Sequence, residues 1–136
     1  MEKFVRNFIL MSVVYLIIAA LIGLGMLTRP EYRGGLQFVH SHLMLLGWVS
    51  MMIYGVGYHI LPRFAGKLLK SRAAGEVQFW TANIGLVGML GFYMLNYHDR
   101  KGIYEGLSIF FGVVEVFSIG LFFYNLLVSV YGKTEG

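Results

Sequence analysis

The sequence predicts an all-α integral membrane protein, a bundle of four transmembrane helices with both termini on the cytoplasmic side. Three observations predict it. The 136 residues are 57% hydrophobic and only 13% charged, where a soluble domain carries about 25% charged residues. The mean hydropathy is +0.68. The charges cluster between four long runs that are almost free of them, and about 20 apolar residues suffice to cross a bilayer core. There is no Cys, which excludes disulfides and thiolate metal sites. The net charge of +4 would suggest nucleic acid in a soluble protein. Here the basic residues flank apolar runs, so they read as orientation signals and no nucleic-acid partner is expected.

The length suits one domain, residues 1–136. A basic lead with Lys3 and Arg6 precedes the uncharged run Phe8–Leu27, predicted as the first helix (8–27). No small-residue cleavage site follows Leu27, so this run is expected to stay in the mature protein rather than act as a signal peptide. Thr28–Gly35 is a polar turn with Pro30 and paired glycines, expected to stop that helix. The second helix is predicted over 36–61, ending at Pro62. Arg63–Gly75 is a basic loop. The uncharged run Val77–His98 is the third helix (77–98), and after the turn at Asp99–Gly102 the fourth covers 103–130. The lead, the second loop and the tail hold seven Lys and Arg, among them Lys133, against four in the other two turns. Positive charge stays inside, so the termini are predicted inside, and the chain is placed in the inner (cytoplasmic) membrane with lipid around it. So little polar surface also predicts a homo-oligomer, most simply a symmetric dimer.

The chemistry concentrates in Phe38–Pro62, FVHSHLMLLGWVSMMIYGVGYHILP, which holds three of the four histidines. Ionisable residues inside a membrane are costly and usually functional. His40 and His59 are 19 residues apart, about 28 Å along a helix, and cannot share an iron. His40 and His98 are predicted near the same, outer, face on consecutive antiparallel helices, so they form the candidate axial pair and iron ligands of a low-spin haem. His42 points about 200° away from His40; it is an alternative second ligand, or a group that orients His40 or meets a propionate. Set against this, each histidine could simply bond a carbonyl or water. His59, beside Pro62 and Arg63, reads mainly as interfacial, with a second haem or a quinone as the alternative. Arg33, Arg100 and Lys101 share the outer side and could meet anionic propionates; the alternative is ordinary solvation. Gly47, seven residues from His40, is read as room for a porphyrin, while Gly55, Gly85, Gly88 and Gly91 are read mainly as packing positions. Met44, one turn from His40, could be an axial ligand or complete a His40–His42–Met44 copper set; the alternative is a core or lipid contact. Trp48, Met51 and Phe92 read as core or lipid contacts. Glu115 is the lone charge in Gly106–Gly132; it either moves protons or sits neutral and bonded to a neighbouring Asn, Ser or Tyr, with Tyr54 and Asn83 able to serve either role.

His40-Ser-His-Leu-Met44, Gly47-Trp48 and Tyr58-His-Ile-Leu-Pro62 resemble the second transmembrane helix of the catalytic subunit of haem-copper oxygen reductases and nitric oxide reductases. The paired His-x-His also resembles a membrane haem family linked to nitric oxide tolerance. The first resemblance covers helices 1 and 2 and implies that His40 is a haem ligand and that Met44 lies beside the ring. His42 falls where that family often has Asn or another residue. The family has about a dozen helices, a second haem ligand on a much later helix, and a His-Pro-Glu-Val-Tyr segment with a His-His pair for its second metal. None of these is present, so the chain is not expected to be a terminal oxidase on its own. The reading is a b-type haem protein in electron transfer, with a quinol or respiratory redox partner, or in binding or sensing nitric oxide, oxygen or carbon monoxide. The alternatives are a haem-free accessory subunit of a respiratory complex and a copper-binding membrane protein.

Overall fold

The computed structural model describes residues 1–132, and these are helical almost throughout, with no strand among them. Lys133, counted above for orientation, lies outside the described residues. The elements are α1 (Lys3–Thr28), a 3-10 turn (Pro30–Tyr32), α2 (Arg33–His42), a π-helical segment (Leu43–Ser50), α3 (Met51–Phe64), α4 (Arg72–His98) and α5 (Gly102–Tyr131). The turn, α2, the π segment and α3 run on as one rod, Pro30–Phe64, 35 residues long. This rod, α1 and α5 are each long and apolar enough to cross a membrane. α4 is as long as α1, but Gln78, Thr81, Asn83 and Asn96 dilute its hydropathy, and it falls short of that standard.

The helix ends differ from the apolar runs for identifiable reasons. α1 starts at Lys3, not Phe8, because Phe4, Val5 and Phe8 are all buried on one face and the helix must extend to present them. The paired glycines do not break the chain. Gly34 and Gly35 lie inside α2, where a Cβ would stand 2.8 Å from the Tyr97 hydroxyl and 2.9 Å from its ring respectively, so their lack of a side chain admits α4. Pro62 lies inside α3. It has no N–H to donate, but the stop comes at Gly66, whose φ is +65°. There the Gly66 amide donates to the Arg63 carbonyl (3.0 Å) and the Lys67 amide to the Pro62 carbonyl (2.8 Å), the paired bonds that close a helix on a left-handed residue. α4 begins on a capping Ser71, whose hydroxyl accepts from the Ala74 amide at 3.1 Å.

α4 and α5 are the most closely packed pair, and α1 lies along the second rod. Glycines set both spacings. A Cβ at Gly85 would meet the Glu115 backbone nitrogen at 2.8 Å, and one at Gly88 would enter the Phe111 ring; Gly91 faces open space. On the second rod, Gly55 packs against Ile9 and Val5 of α1. Between the rods, Phe8 meets Tyr54 and Phe79 edge-on, and Phe122 of α5 packs on Tyr54 and Tyr58 at 4.6 and 5.0 Å.

On α5 the faces are reversed relative to a helix of a soluble bundle. α5 exposes Ile109, Phe110, Val113, Val116, Phe117 and Phe123. Of its six buried residues, four are polar: Glu115, Ser118, Asn125 and Ser129. Apolar groups outside and polar groups inside suit hydrocarbon as the solvent.

Candidate functional site

His40 leaves the last turn of α2 and turns toward α1. Its Nδ1 lies 2.9 Å from the Ala19 carbonyl oxygen. That oxygen can only accept, so Nδ1 carries the proton and Nε2 is the nitrogen with a free lone pair. The Cε1 edge of the ring lies against Gly23, where an added Cβ would stand 2.9 Å from Cε1 and 3.7 Å from Nε2. A carbonyl-anchored Nδ1 is how metal-ligating histidines are commonly held. Beside the ring a cavity of about 520 Å³ is lined by Gly23, Met26, Leu27, Arg33, Gln37 and Ser41. Arg33 is held at its edge by an Nε–H bond to the Met26 carbonyl (3.2 Å). An imidazole nitrogen and a guanidinium thus border one groove.

The other candidates go elsewhere. His42 Nδ1 lies 2.9 Å from the Phe38 carbonyl, and its ring stacks on Phe38 at 3.9 Å, which stacks in turn on Tyr93 of α4 at 4.1 Å. It faces α4, whereas His40 faces α1. Met44 is half-buried against the apolar core. His40, His42 and Met44 therefore do not converge as a copper set. His98 is exposed at the end of α4, edge-on to Tyr97, and shares no hydrogen bond, ring contact or cavity with His40 among the described residues. His59 takes part in a bond with the Arg63 guanidinium, which also donates to the His59 carbonyl at 2.7 Å. Arg100 and Lys101 line a separate polar cavity of about 360 Å³ with Tyr93, Asn96, Tyr97 and Glu105; Lys101 pairs with Asp99 at 2.6 Å.

The face shared by His40 and Gly47 exists, but α1 covers it. A Cβ at Gly47 would stand 2.8 Å from Tyr15 Cβ and Cγ, so the space left by Gly47 holds the Tyr15 side chain. Among the described residues no three His, Asp or Glu side chains gather as a metal site. For a haem iron, which takes axial imidazoles one from each side, the donor set fits one side: a carbonyl-anchored His40 with an adjacent arginine. Among the described residues no second imidazole lines the groove.

Composition does not reveal the π segment, Leu43–Ser50, which follows the two histidines directly. Such segments are rare and frequent at functional sites; its eight residues are apolar apart from Ser50, and Gly47 alone, one helical glycine among several, does not mark them. The anchoring carbonyl of Ala19 was equally hidden, since any backbone offers one.

Helical, apolar rods with one anchored histidine at the groove between α1 and α2 define a multi-pass membrane protein with a one-sided imidazole site. Residues 35–96, from α2 through most of α4, match the family of cytochrome c and quinol oxidase polypeptide I. A stretch of 69 residues is 35% identical to the cbb3-type cytochrome c oxidase subunit CcoN1 of Stutzerimonas stutzeri, covering 50% of this chain and 14% of that subunit. No solved structure matches significantly. The chain thus resembles a portion of subunit I of the haem-copper oxidases and is a multi-pass protein of the inner membrane. The resemblance was expected over helices 1 and 2; the matched stretch takes in the second of these, leaves out the first and adds most of α4.

Proposed function

We propose that the chain is a haem-binding module of the inner membrane that passes electrons, with haem b held against His40. The observation that carries this reading is the Nδ1 contact to the Ala19 carbonyl at 2.9 Å. It holds the ring in one tautomer and leaves Nε2 free beside the groove. When bound, haem supplies one-electron chemistry. The protein's share would be to ligate through Nε2, to hold the imidazole by the Ala19 carbonyl and over Gly23, and to meet a propionate with Arg33.

A second imidazole to hold the group would come from outside the chain, most simply from His40 of a second copy across a two-fold axis, an arrangement in which the same patch faces itself. Electrons would come from a quinol or another respiratory partner. In this reading α4 spans the bilayer with the other three rods, both termini are cytoplasmic, and Arg33 and His40 lie toward the outer side. An iron left five-coordinate would instead bind a diatomic gas, and the same experiment separates the two.

The test is the absorption spectrum of protein purified in mild detergent, oxidised and reduced, with and without carbon monoxide. Sharp reduced bands unmoved by carbon monoxide, with one haem per two chains and loss of pigment in His40→Ala, are the expected result. A Soret band that shifts with carbon monoxide would replace electron transfer by gas binding. A colourless protein, even when haem is offered during purification, would overturn the haem reading and leave a haem-free accessory subunit.

A further inference from the structure

Glu115 lies near the middle of α5, 13 residues from its first residue and 16 from its last, or about 20 and 24 Å at 1.5 Å per residue. It is 2% exposed, and neither carboxyl oxygen has a hydrogen-bond partner. It packs on Gly85, where a Cβ would stand 3.1 Å from Oε2. Tyr15 of α1 and Tyr54 of α3 are the titratable groups facing it, and α4 brings no charged group. No Lys, Arg or His therefore balances the carboxylate, and an unpaired buried charge is too costly to persist. Two other buried atoms are also without partners, the Gln78 Oε1 and the Tyr58 hydroxyl oxygen. The Glu115 oxygens and Gln78 Oε1 are acceptors in need of a donor. The species that would complete them is a proton, with water as its carrier.

On one flank Tyr15 donates to Asn83 at 2.8 Å and the pair goes no further; the buried polar groups along α5 run from Glu115 toward its carboxyl end. Ser118 is one turn away, and the Gln78 side-chain amide donates to its hydroxyl at 3.3 Å. The next turns carry Phe122, packed by Tyr54 and by Tyr58, whose hydroxyl is unpartnered. Then come Asn125, donating to the Ser71 carbonyl at 2.9 Å, and Ser129, accepting from the Lys70 amide at 2.9 Å. These last two open on the loop between α3 and α4. Toward the other end of α5, the buried polar contact is Ser108 to the Met89 carbonyl (2.9 Å).

We propose that Glu115 is a proton-loading site in the core of the bundle, exchanging with the aqueous phase on the side of the α3–α4 loop along Asn125, Tyr58, Ser118 and Gln78. Loading forms one O–H bond on the carboxylate with a proton taken from that aqueous phase through intervening waters, and unloading returns it by the same path. No oxidant or co-reactant enters. The proposal stands apart from haem binding.

Infrared spectroscopy of the full chain in detergent reads it. The wild type at neutral pH should show a protonated-carboxyl stretch that Glu115→Gln removes and that moves on transfer to deuterium oxide. Glu115→Asp, which keeps a carboxyl, should show a displaced band and preserves the assignment should the Gln variant not fold. Tyr58→Phe should slow the deuterium shift about tenfold, the consequence of a link worth roughly 1.4 kcal/mol in the barrier. Ser108→Ala, toward the other end of α5, should leave the rate unchanged. Absence of the protonated band in the wild type would overturn the site. A deuterium shift slowed by Ser108→Ala but not by Tyr58→Phe would overturn the route.

Discussion

At the residue scale, the histidines with the same side chain have different surroundings, and the surroundings decide what each can do. His40 has a backbone carbonyl at 2.9 Å and a glycine beneath its ring; His42, two residues on, is tied to its own helix and stacked on Phe38. Helical spacing was enough to say that the two diverge, because 200° of rotation separates them. It could not say which of them would find the groove, because that depends on the position of α1. The role given to Gly23 is open to a direct check. A side chain there displaces the His40 ring, since even a Cβ would be 2.9 Å from Cε1. Gly23→Leu is expected to lose bound haem as fully as His40→Ala while keeping its helical circular dichroism. Gly25→Leu, where nothing lies within 4 Å, should retain the pigment; equal pigment in both variants would remove Gly23 from the site.

At the scale of elements, helix spacing is set where glycine meets backbone. The three-residue repeat Gly85, Gly88, Gly91 looks uniform in the sequence, yet its members differ. Gly85 touches the backbone of α5, Gly88 touches a ring, and Gly91 touches nothing. Gly85→Ala should therefore cost about 1–3 kcal/mol, the usual penalty for overpacking a contact that cannot yield. Gly91→Ala should be neutral or stabilising by about 0.5–1 kcal/mol, because alanine restricts the unfolded chain and favours helix. Thermal unfolding of the two variants in one detergent measures the difference, and equal melting temperatures would contradict the packing described. The same scale shows why the apolar runs understate the helices. α1 and α4 reach back over Lys3, Arg6, Arg72 and Glu76, residues that a hydropathy pattern assigns to loops but whose long stems and exposed heads sit comfortably on a helix end.

For the whole molecule, orientation rests on the distribution of Lys and Arg, and the absence of native Cys makes it simple to measure. Single-cysteine reporters Glu31→Cys, in the turn before α2, and Leu68→Cys, between α3 and α4, sit at exposed positions on opposite ends of the bundle. A membrane-impermeant thiol reagent applied to intact spheroplasts should label the first and spare the second. The reverse pattern would invert the topology, moving His40 and Arg33 to the inner side.

The sequence by itself determined that the chain is helical and membrane-embedded, because composition and run length answer directly to the bilayer. It also determined the likeness to subunit I, because the spacing of His40, Gly47 and Pro62 is a local property of one rod. Only the tertiary structure decided what these residues face. The glycine read as room for a porphyrin receives Tyr15, the Ala19 carbonyl selects the free nitrogen of His40, and Glu115 finds none of the Asn, Ser or Tyr partners expected for it. Each of these depends on contacts between residues tens of positions apart, and periodicity along a single helix carries no information about them.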